Sequence, residues 1–145
     1  MMIFYALFIL TLIAIDQIAK ITALKLLADR NDLPIIFGPV QFTIVKNPGA
    51  AFGLLKNRKT FLRIITAILI ASVVIYFANL LVTETRSLLI RPLAFIIGGA
   101  VSNYLDRLRL GSVIDFLSLN IKKFPVVNFA DIFIFAGSIL FILNS

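Results

Sequence analysis

Few side chains in this sequence could carry out hydrolytic chemistry, and most of them are carboxylates. The 145-residue chain contains no cysteine and no histidine, which excludes thiol nucleophiles, Ser-His-Asp arrangements and zinc sites built from His and Cys. A hydrolase would therefore depend on carboxylates, on a Ser-Lys pair or on a metal held by oxygen ligands. Three acidic residues lie in polar stretches: Asp29, Asp32 and Glu84. The other four lie in or beside apolar segments, where an ionised group is costly and indicates function: Asp16, Asp106, Asp115 and Asp131.

Asp115 and Asp131 are the strongest candidates for acid–base chemistry. Asp115 follows the third apolar segment of the chain, and Asp131 is predicted to lie about a turn and a half inside the fourth. If those segments are antiparallel neighbours, both carboxylates lie at one level and share a proton, so that one acts as base on water and the other as acid. The residues alone leave open the alternative that each acid is paired separately at the membrane interface.

Two further groups of polar residues have helical spacing. Asp16 and Lys20 are four residues apart with the acid first, which favours an ion pair on one helix face. This pair either only neutralises itself for membrane insertion or has a role beside the functional site. Asn103, Asp106 and Arg107 share one face at the end of the third apolar segment. There we expect Asp106 to neutralise or orient its basic neighbours.

The elements that must position these residues are predicted from the apolar runs. Apolar residues make up 61% of the chain and charged residues only 14%. A soluble protein of this length could not bury that much apolar surface in its interior. Four runs are close to the roughly 20 residues that span a bilayer core: residues 3–27, 61–82, 88–105 and 126–143. We therefore predict an all-α polytopic membrane protein in which residues 1–145 form one domain with four transmembrane helices.

The connecting segments carry weaker patterns. Within a β-rich loop over residues 34–55, the turn signal Gly38-Pro39 precedes an apolar, β-branched run, which predicts a short hairpin or small sheet. Residues 111–125 alternate apolar and polar side chains, a pattern that we interpret as a segment lying on the membrane surface. Gly98-Gly99 and Gly137-Ser138 predict close packing of the third and fourth helices.

Four sequence motifs follow one another along nearly the whole chain. Residues 16–20 read Asp-Gln-x-x-Lys, and residues 47–52 read Asn-x-Gly-Ala-Ala-Phe. Residues 98–116 contain paired glycines, then Asn-x-x-Asp-Arg, then Gly-x-Val-x-Asp-Phe, and residues 124–131 read Phe-Pro-x-x-Asn-x-Ala-Asp. Together these motifs resemble the signature of the lipoprotein signal peptidases (signal peptidase II), a family of aspartyl peptidases. One departure is Ser102, which stands where that family usually has glycine.

The resemblance implies four membrane helices with both termini in the cytoplasm and a small extracytoplasmic β-cradle. It implies a membrane-embedded aspartyl endopeptidase that removes the signal peptide from diacylglyceryl-modified prolipoproteins, cleaving just before the lipidated cysteine. Under the resemblance, the catalytic residues are Asp115 and Asp131. The residues that it implies for substrate binding or support of the site are Asn47, Asn103, Arg107, Asn128, Asp16, Lys20 and Asp106.

The same resemblance implies the setting of such an enzyme. Its partners are the lipid-modified prolipoprotein and membrane lipids, it uses no metal or cofactor, and we expect a monomer. It would lie in the bacterial plasma (inner) membrane with its active site on the extracytoplasmic side. The basic residues disagree with this orientation, because nine lie within residues 28–60 and 106–125 against two within residues 83–91. We follow the family, since its substrate is exported before it is processed.

Other functions account for fewer of these residues. The net charge of +7 is compatible with nucleic-acid binding as a function. However, the basic residues lie between apolar runs and no basic-aromatic RNA motif is present. No nucleic-acid partner is therefore expected. A small four-helix proton-coupled membrane transporter with Asp16 as proton carrier would leave Asp115 and Asp131 without a role. A Ser-Lys peptidase that uses Ser102 or Ser112 is the remaining alternative.

Overall fold

The part of the chain that the structure describes forms four long helices and one small sheet. The computed structural model describes residues 1–27, 35–49, 59–83, 87–121 and 124–145 of the chain. The helices within these ranges are α1 (Met2–Leu27), α2 (Lys59–Thr83), α3 (Ile90–Leu110) and α4 (Phe129–Asn144), and a short 3-10 helix (Ser87–Leu89) leads into α3. The strands are β1 (Ile35–Phe37), β2 (Val40–Asn47) and β3 (Val113–Leu119). The prediction of a mostly helical chain with a small sheet is confirmed.

α1 and α2 have the length and composition of membrane-spanning helices. They contain 26 and 25 residues, with mean hydropathies of 2.1 and 2.5 over their most apolar 18-residue windows. Only 17% and 11% of those windows are buried within the protein. Most of their apolar side chains therefore face outward and require lipid rather than a protein core. α4 is a shorter apolar helix of 16 residues and α3 carries several polar side chains, so four membrane spans remain a prediction.

α3 is the central helix, and it packs against α1, α2 and α4. Its glycines allow this close approach. A Cβ atom on Gly99 would collide with the carbonyl oxygen of Ala130 on α4, and a Cβ atom on Gly98 would lie 2.9 Å from the Leu12 side chain on α1. Gly137 of α4 in turn lies against the backbone of Pro92. Because position 99 meets 130 while position 92 meets 137, α3 and α4 run antiparallel, and the predicted close packing is confirmed.

The apolar core and the polar residues occupy opposite ends of α3. The first turns of α3 pack against α1 and α2, where the rings of Tyr5 and Phe77 meet edge to face with their centroids 5.9 Å apart. This buried apolar cluster comprises Tyr5, Phe77, Leu80, Leu81, Leu89, Ile90, Leu93, Ala94 and Ile97. From Ser102 onward, the buried residues of α3 are polar. The bundle is thus anchored at one end and carries its polar groups at the other.

The sheet is built from both of the longer connections. β1 and β2 form an antiparallel hairpin around a turn in which Gly38 has a φ of 59°, a left-handed conformation that favours glycine. The predicted hairpin is confirmed. β3 pairs antiparallel with β2, so that Asp115 lies opposite Val45. The alternation within residues 113–119 is the two-residue period of a strand whose partner comes from the earlier connection, and the location of residues 111–125 on the membrane surface stays a prediction.

Candidate active site

Two changes of chain direction bring Asp115 and Asp131 to the same end of α3. α3 continues beyond its predicted end at residue 105 to Leu110 and stops where Gly111 has a φ of 72°, a left-handed C-cap typical of glycine. The chain then reverses into β3, where Asp115 is only 3% exposed. α4 begins at Phe129 rather than at residue 126. Asp131 therefore lies in the first turn of α4, not a turn and a half inside it as predicted.

Asn128 joins the two carboxylates. It is the N-cap of α4, and its side-chain oxygen accepts a hydrogen bond of 2.9 Å from the backbone N–H of Asp131. Because that N–H can only donate, the amide group of Asn128 must point toward Asp115, to whose Oδ1 it donates at 2.7 Å. The backbone N–H of Asn128 donates to Asp131 Oδ2 at 3.3 Å. This capping box explains why α4 starts late, and it sets both carboxylates around one residue.

Two more asparagines complete the hydrogen bonding of the pair. Asn103 on α3 donates from Nδ2 to Asp131 Oδ1 at 2.8 Å, and Asn47 at the end of β2 donates from Nδ2 to Asp115 Oδ2 at 3.2 Å. With the two bonds from Asn128, each oxygen of both carboxylates accepts one hydrogen bond. Residues that the sequence places far apart are therefore brought together, and the antiparallel arrangement assumed for Asp115 and Asp131 is present.

The environment of Asp115 favours its protonated form. Burial and the negative charge of Asp131 together raise the pKa of Asp115 to about 6, from an ordinary value of 3.8. Hydrogen bonds from Asn47 and Asn128 and the positive charge of Lys20 act in the opposite direction but do not cancel this rise. Two carboxylates that cannot both ionise cheaply behave as one titrating pair. Such a pair supplies an acid and a base side by side.

The predicted ion pair on α1 lies directly behind this pair. Asp16 and Lys20 are 0% and 2% exposed, and Lys20 Nζ lies 2.6 Å from Asp16 Oδ2. Lys20 Nζ also lies 2.8 Å from Asp106 Oδ2 and donates to Asn103 Oδ1 at 3.0 Å. Asp16 Oδ1 accepts a hydrogen bond from the Ala130 N–H at 2.9 Å. The pair thus reaches both α3 and α4.

Asp106 forms its salt bridge with a basic residue of another helix, not with its neighbour Arg107 on α3. The cation with which it forms a salt bridge is Lys20 of α1 rather than Arg107. Its carboxylate also accepts hydrogen bonds from Gln17 Nε2 at 2.9 Å and from the Ile114 N–H at 3.3 Å. Asp106 therefore ties α3 to α1 and to the start of β3, because all three donors converge on one carboxylate. Support of the site stays the predicted role of Asp106.

Arg107 is a half-buried cation near the pair, and its Nε remains available as a donor. Its guanidinium interacts electrostatically with Asp131, Asp115 and Asp106. Its buried Nε has no hydrogen-bond partner within the described part of the chain. A planar fork of donors beside two carboxylates is suited to the carbonyl oxygens of an extended peptide.

Gln17 and Ser102 extend the hydrogen bonding behind the pair, although sequence reasoning named Ser102 only as a possible nucleophile and gave Gln17 no role. Gln17 Nε2 donates to Ser102 Oγ at 3.0 Å, and Ser102 Oγ donates to Asp16 Oδ2 at 2.6 Å. The only signal for Gln17 was its place next to Asp16 in the first motif. Because the Ser102 hydroxyl is fully buried and bonded to Asp16 rather than to Lys20, the structure does not support it as the nucleophile of a Ser-Lys pair.

An apolar cavity lies near the pair. A cavity of about 420 Å³ lies between the outer face of α1 and the sheet, beside Phe116, which follows Asp115, and Phe129, which lies two residues before Asp131. Its lining includes Ile18, Thr22, Phe42, Phe116 and Phe129. Across the described ranges, no three acidic side chains converge in a way that could hold a metal ion. A ligand of this cavity would be apolar.

Comparison with known proteins gives consistent results. The family model described as signal peptidase (SPase) II matches residues 8–145. A lipoprotein signal peptidase of Brevibacillus brevis is 36% identical over 140 residues, which cover 97% of this chain and 93% of the relative. Another from Clostridioides difficile is 39% identical, with 93% and 89% covered. A third, from Caldanaerobacter subterraneus, is 41% identical, with 87% and 84% covered.

Solved structures show the same relationship. Two chains described as bacterial membrane enzyme structures, determined by the in meso method at 2.3 and 1.9 Å resolution, each superpose with a TM-score of 0.77 and 27% sequence identity. The similarity covers 96% of this chain and 85% and 90% of those chains. It therefore includes the sheet as well as the helices.

Proposed function

The chain belongs to the signal peptidase II family and is a membrane-embedded peptidase, and from this we propose that it removes the signal peptide of diacylglyceryl-modified prolipoproteins. Cleavage would take place just before the lipidated cysteine. The observation that carries the proposal is the pair Asp115 and Asp131, with every carboxylate oxygen held by an asparagine donor. Such a preorganised acid and base can activate water for attack on a peptide bond.

The two carboxylates take different parts in this proposal. Asp131 lies in the first turn of α4, where the helix N-terminus favours negative charge, and it accepts hydrogen bonds from Asn103 and Asn128. It is the base. Asp115, whose pKa is raised to about 6 by burial and by the charge of Asp131, holds the proton and is the acid.

The reaction returns both carboxylates to their starting state. Asp131 takes a proton from water as the water oxygen bonds to the scissile carbonyl carbon, and Asp115 gives its proton to the carbonyl oxygen. The tetrahedral diol then collapses as Asp131 passes its proton to the amide nitrogen and the C–N bond breaks. One hydroxyl proton returns to Asp115. The products are the carboxyl terminus of the signal peptide and the free amine of the lipidated cysteine.

The polar residues around the pair divide into two roles. Asn103 and Asn128 use their amide donors on Asp131 and Asp115, which supports a role in holding the carboxylates. Arg107, with its unpartnered Nε, is the better candidate for binding the substrate backbone. Asn47 lies at the end of β2 beside Asp115, where an extended peptide along the sheet would pass close to its side chain.

The same proposal includes the place of the protein in the membrane. α3 and α4 pack closely against α1 and α2 as a four-span bundle in the bacterial plasma membrane, and the protein acts as a monomer. The exposed side chains of Ile36 and Phe37 support contact of β1 with lipid, on the extracytoplasmic side. The apolar cavity beside Phe116 and Phe129 supports a substrate that carries acyl chains. The excess of basic residues near this end would then contact anionic lipid.

A transporter is the weaker alternative. Its proton carrier would be Asp16, but that carboxylate is fully buried and bonded to Lys20, Ser102 and Ala130. An acid with all of its contacts filled by protein groups is poorly placed to exchange protons with two aqueous sides.

The test of the proposed function uses the purified, membrane-inserted chain and a diacylglyceryl-modified prolipoprotein. We expect mass spectrometry to show loss of the signal peptide with a new amine on the lipidated cysteine. The same prolipoprotein without its lipid is the matched control and should remain intact. Failure to cleave the lipidated form would refute the proposal, and proton-coupled flux in liposomes would favour the transporter. Retained cleavage after Ser102→Ala and Ser112→Ala would dismiss the Ser-Lys mechanism.

A further inference from the structure

We infer that Asp16 and Lys20 are positioning residues, which hold Asp131, one of the two acidic residues of the site, in place through specific hydrogen bonds. The inference rests on the proposed function of Asp115 and Asp131. It decides between the two roles that the sequence leaves open for the pair, which are neutralisation for membrane insertion and a role beside the site. The contacts of each side chain outside the ion pair favour the second role.

Asp16 fixes the start of α4. Its Oδ1 accepts a hydrogen bond of 2.9 Å from the N–H of Ala130, the residue immediately before Asp131. Both Asp16 and Ala130 are fully buried, so water cannot replace the acceptor. The second oxygen, Oδ2, accepts a 2.6 Å bond from Ser102 and meets Lys20, and these contacts fix the rotation of the carboxylate. Movement of Asp16 would move the first turn of α4, and Asp131 with it.

Lys20 fixes the orientation of an amide that holds Asp131. Its ammonium group has three protons and three acceptors at 2.6, 2.8 and 3.0 Å, on Asp16, Asp106 and Asn103. Because an ammonium group can only donate, the Asn103 oxygen must face it. The Asn103 Nδ2 group then faces Asp131 Oδ1 at 2.8 Å. Without the Lys20 ammonium group, the Asn103 amide could turn its oxygen toward the Asp131 carboxylate more easily.

An ion pair that served only for insertion would need none of these contacts. Replacing a buried ion pair with apolar side chains of similar volume is often neutral or stabilising. Here both side chains also form hydrogen bonds outside the ion pair, Asp16 with α4 and Lys20 with α3. The group on α4 adjoins Asp131 in the chain, and the group on α3 contacts Asp131 directly. Insertion and positioning therefore predict opposite results for an apolar replacement.

The experiment compares two neutral versions of the pair. Asp16→Leu with Lys20→Met removes both the charges and the hydrogen bonds. Asp16→Asn with Lys20→Gln removes the charges, but the new amides can still accept from Ala130 and donate to Asn103 and Asp106. The three buried side chains at positions 16, 20 and 106 carry a net charge of −1 in the wild type and in both variants. The variants therefore differ only in hydrogen bonding.

Turnover of the lipidated prolipoprotein is measured on each variant after thermal unfolding has confirmed that it is folded. We expect the apolar version to lose on the order of 100-fold in kcat with little change in KM, the size of effect that misplacement by about 1 Å produces. The amide version should stay within about tenfold of the wild type, because the contacts with Ala130, Asn103 and Asp106 are kept. Lys25→Met, on the exposed end of α1, is the matched control and should not change the rate.

Wild-type turnover of the folded apolar version would overturn the positioning role. If that version does not fold, the turnover of the amide version decides alone. A loss of about 100-fold in the folded amide version, which keeps these contacts, would also overturn the positioning role. Asp131→Asn is assayed beside both versions. If Asp131→Asn cleaves normally, the proposed function itself fails, whereas an inactive Asp131→Asn with an active apolar version removes only the inference about Asp16 and Lys20.

Discussion

Replacement of one carboxylate by an amide is the most direct test of the paired acids. In Asp131→Asn, the new side-chain oxygen can still accept from Asn103 Nδ2, which lies 2.8 Å from the carboxylate. The new amide group instead faces the backbone N–H of Asn128, so that the 3.3 Å bond of the capping box is lost. One lost hydrogen bond costs about 1 kcal/mol of folding stability. The variant should therefore fold and insert.

The expected loss of activity is much larger than this loss of stability. General acid–base assistance is worth about 10²–10⁴-fold, which corresponds to about 2.7–5.4 kcal/mol in the barrier at 1.36 kcal/mol for each factor of ten. Asp115→Asn should behave in the same way, since it can keep the 2.7 Å bond from Asn128 and lose only the 3.2 Å bond from Asn47. Because the two groups act as one unit, the double variant should be little slower than either single variant.

The assay is cleavage of the diacylglyceryl-modified prolipoprotein by folded, membrane-inserted protein, with KM measured beside kcat. Substrate binding should be largely retained, so the loss should appear in kcat. Asp29→Asn and Asp32→Asn serve as controls, since both residues belong to a polar connection by sequence and lie outside the described residues. Turnover of Asp131→Asn near that of the wild type would refute the aspartyl mechanism in this protein.

Recognition, orientation and protonation can each be tested separately. Arg107→Lys keeps the charge but loses the planar fork, so kcat/KM should fall by at least about tenfold; unchanged kinetics of Arg107→Ala would remove this residue from the site. Because the chain has no cysteine, Asp32→Cys and Lys123→Cys should react with an impermeant thiol reagent from outside and Thr85→Cys should not, while the reverse pattern would invert the proposed orientation. Since burial and the neighbouring carboxylate raise the pKa of Asp115 to about 6, its proton is lost as the pH rises through that value. We therefore expect kcat/KM to decrease above about pH 6 in initial-rate measurements, and a flat profile from about pH 5 to 8 would contradict the assignment of Asp115 as the acid.

Composition and local motifs determined the class of this protein and most of its candidate site residues. In a chain that is 61% apolar, mostly apolar runs of about 20 residues satisfy their backbone in lipid as helices, and no tertiary information is needed for that conclusion. The cost of an acid in an apolar segment singled out Asp16, Asp106, Asp115 and Asp131. The turn signal at Gly38 likewise predicted the hairpin, because a left-handed residue is a local requirement.

Only the tertiary structure decided how these residues meet. The alternation in residues 113–119 could not reveal β2 as its partner, since strand pairing depends on contacts between distant segments. The late start of α4 depends on Asn128, whose amide is held by Asp115 and Asn103 as well as by the helix that it caps. The partner of Asp106 proved to be Lys20 across the bundle rather than its own neighbour Arg107. Sequence spacing describes one helix face at a time, whereas a buried polar group takes whichever partner the packing of several elements brings within hydrogen-bonding distance.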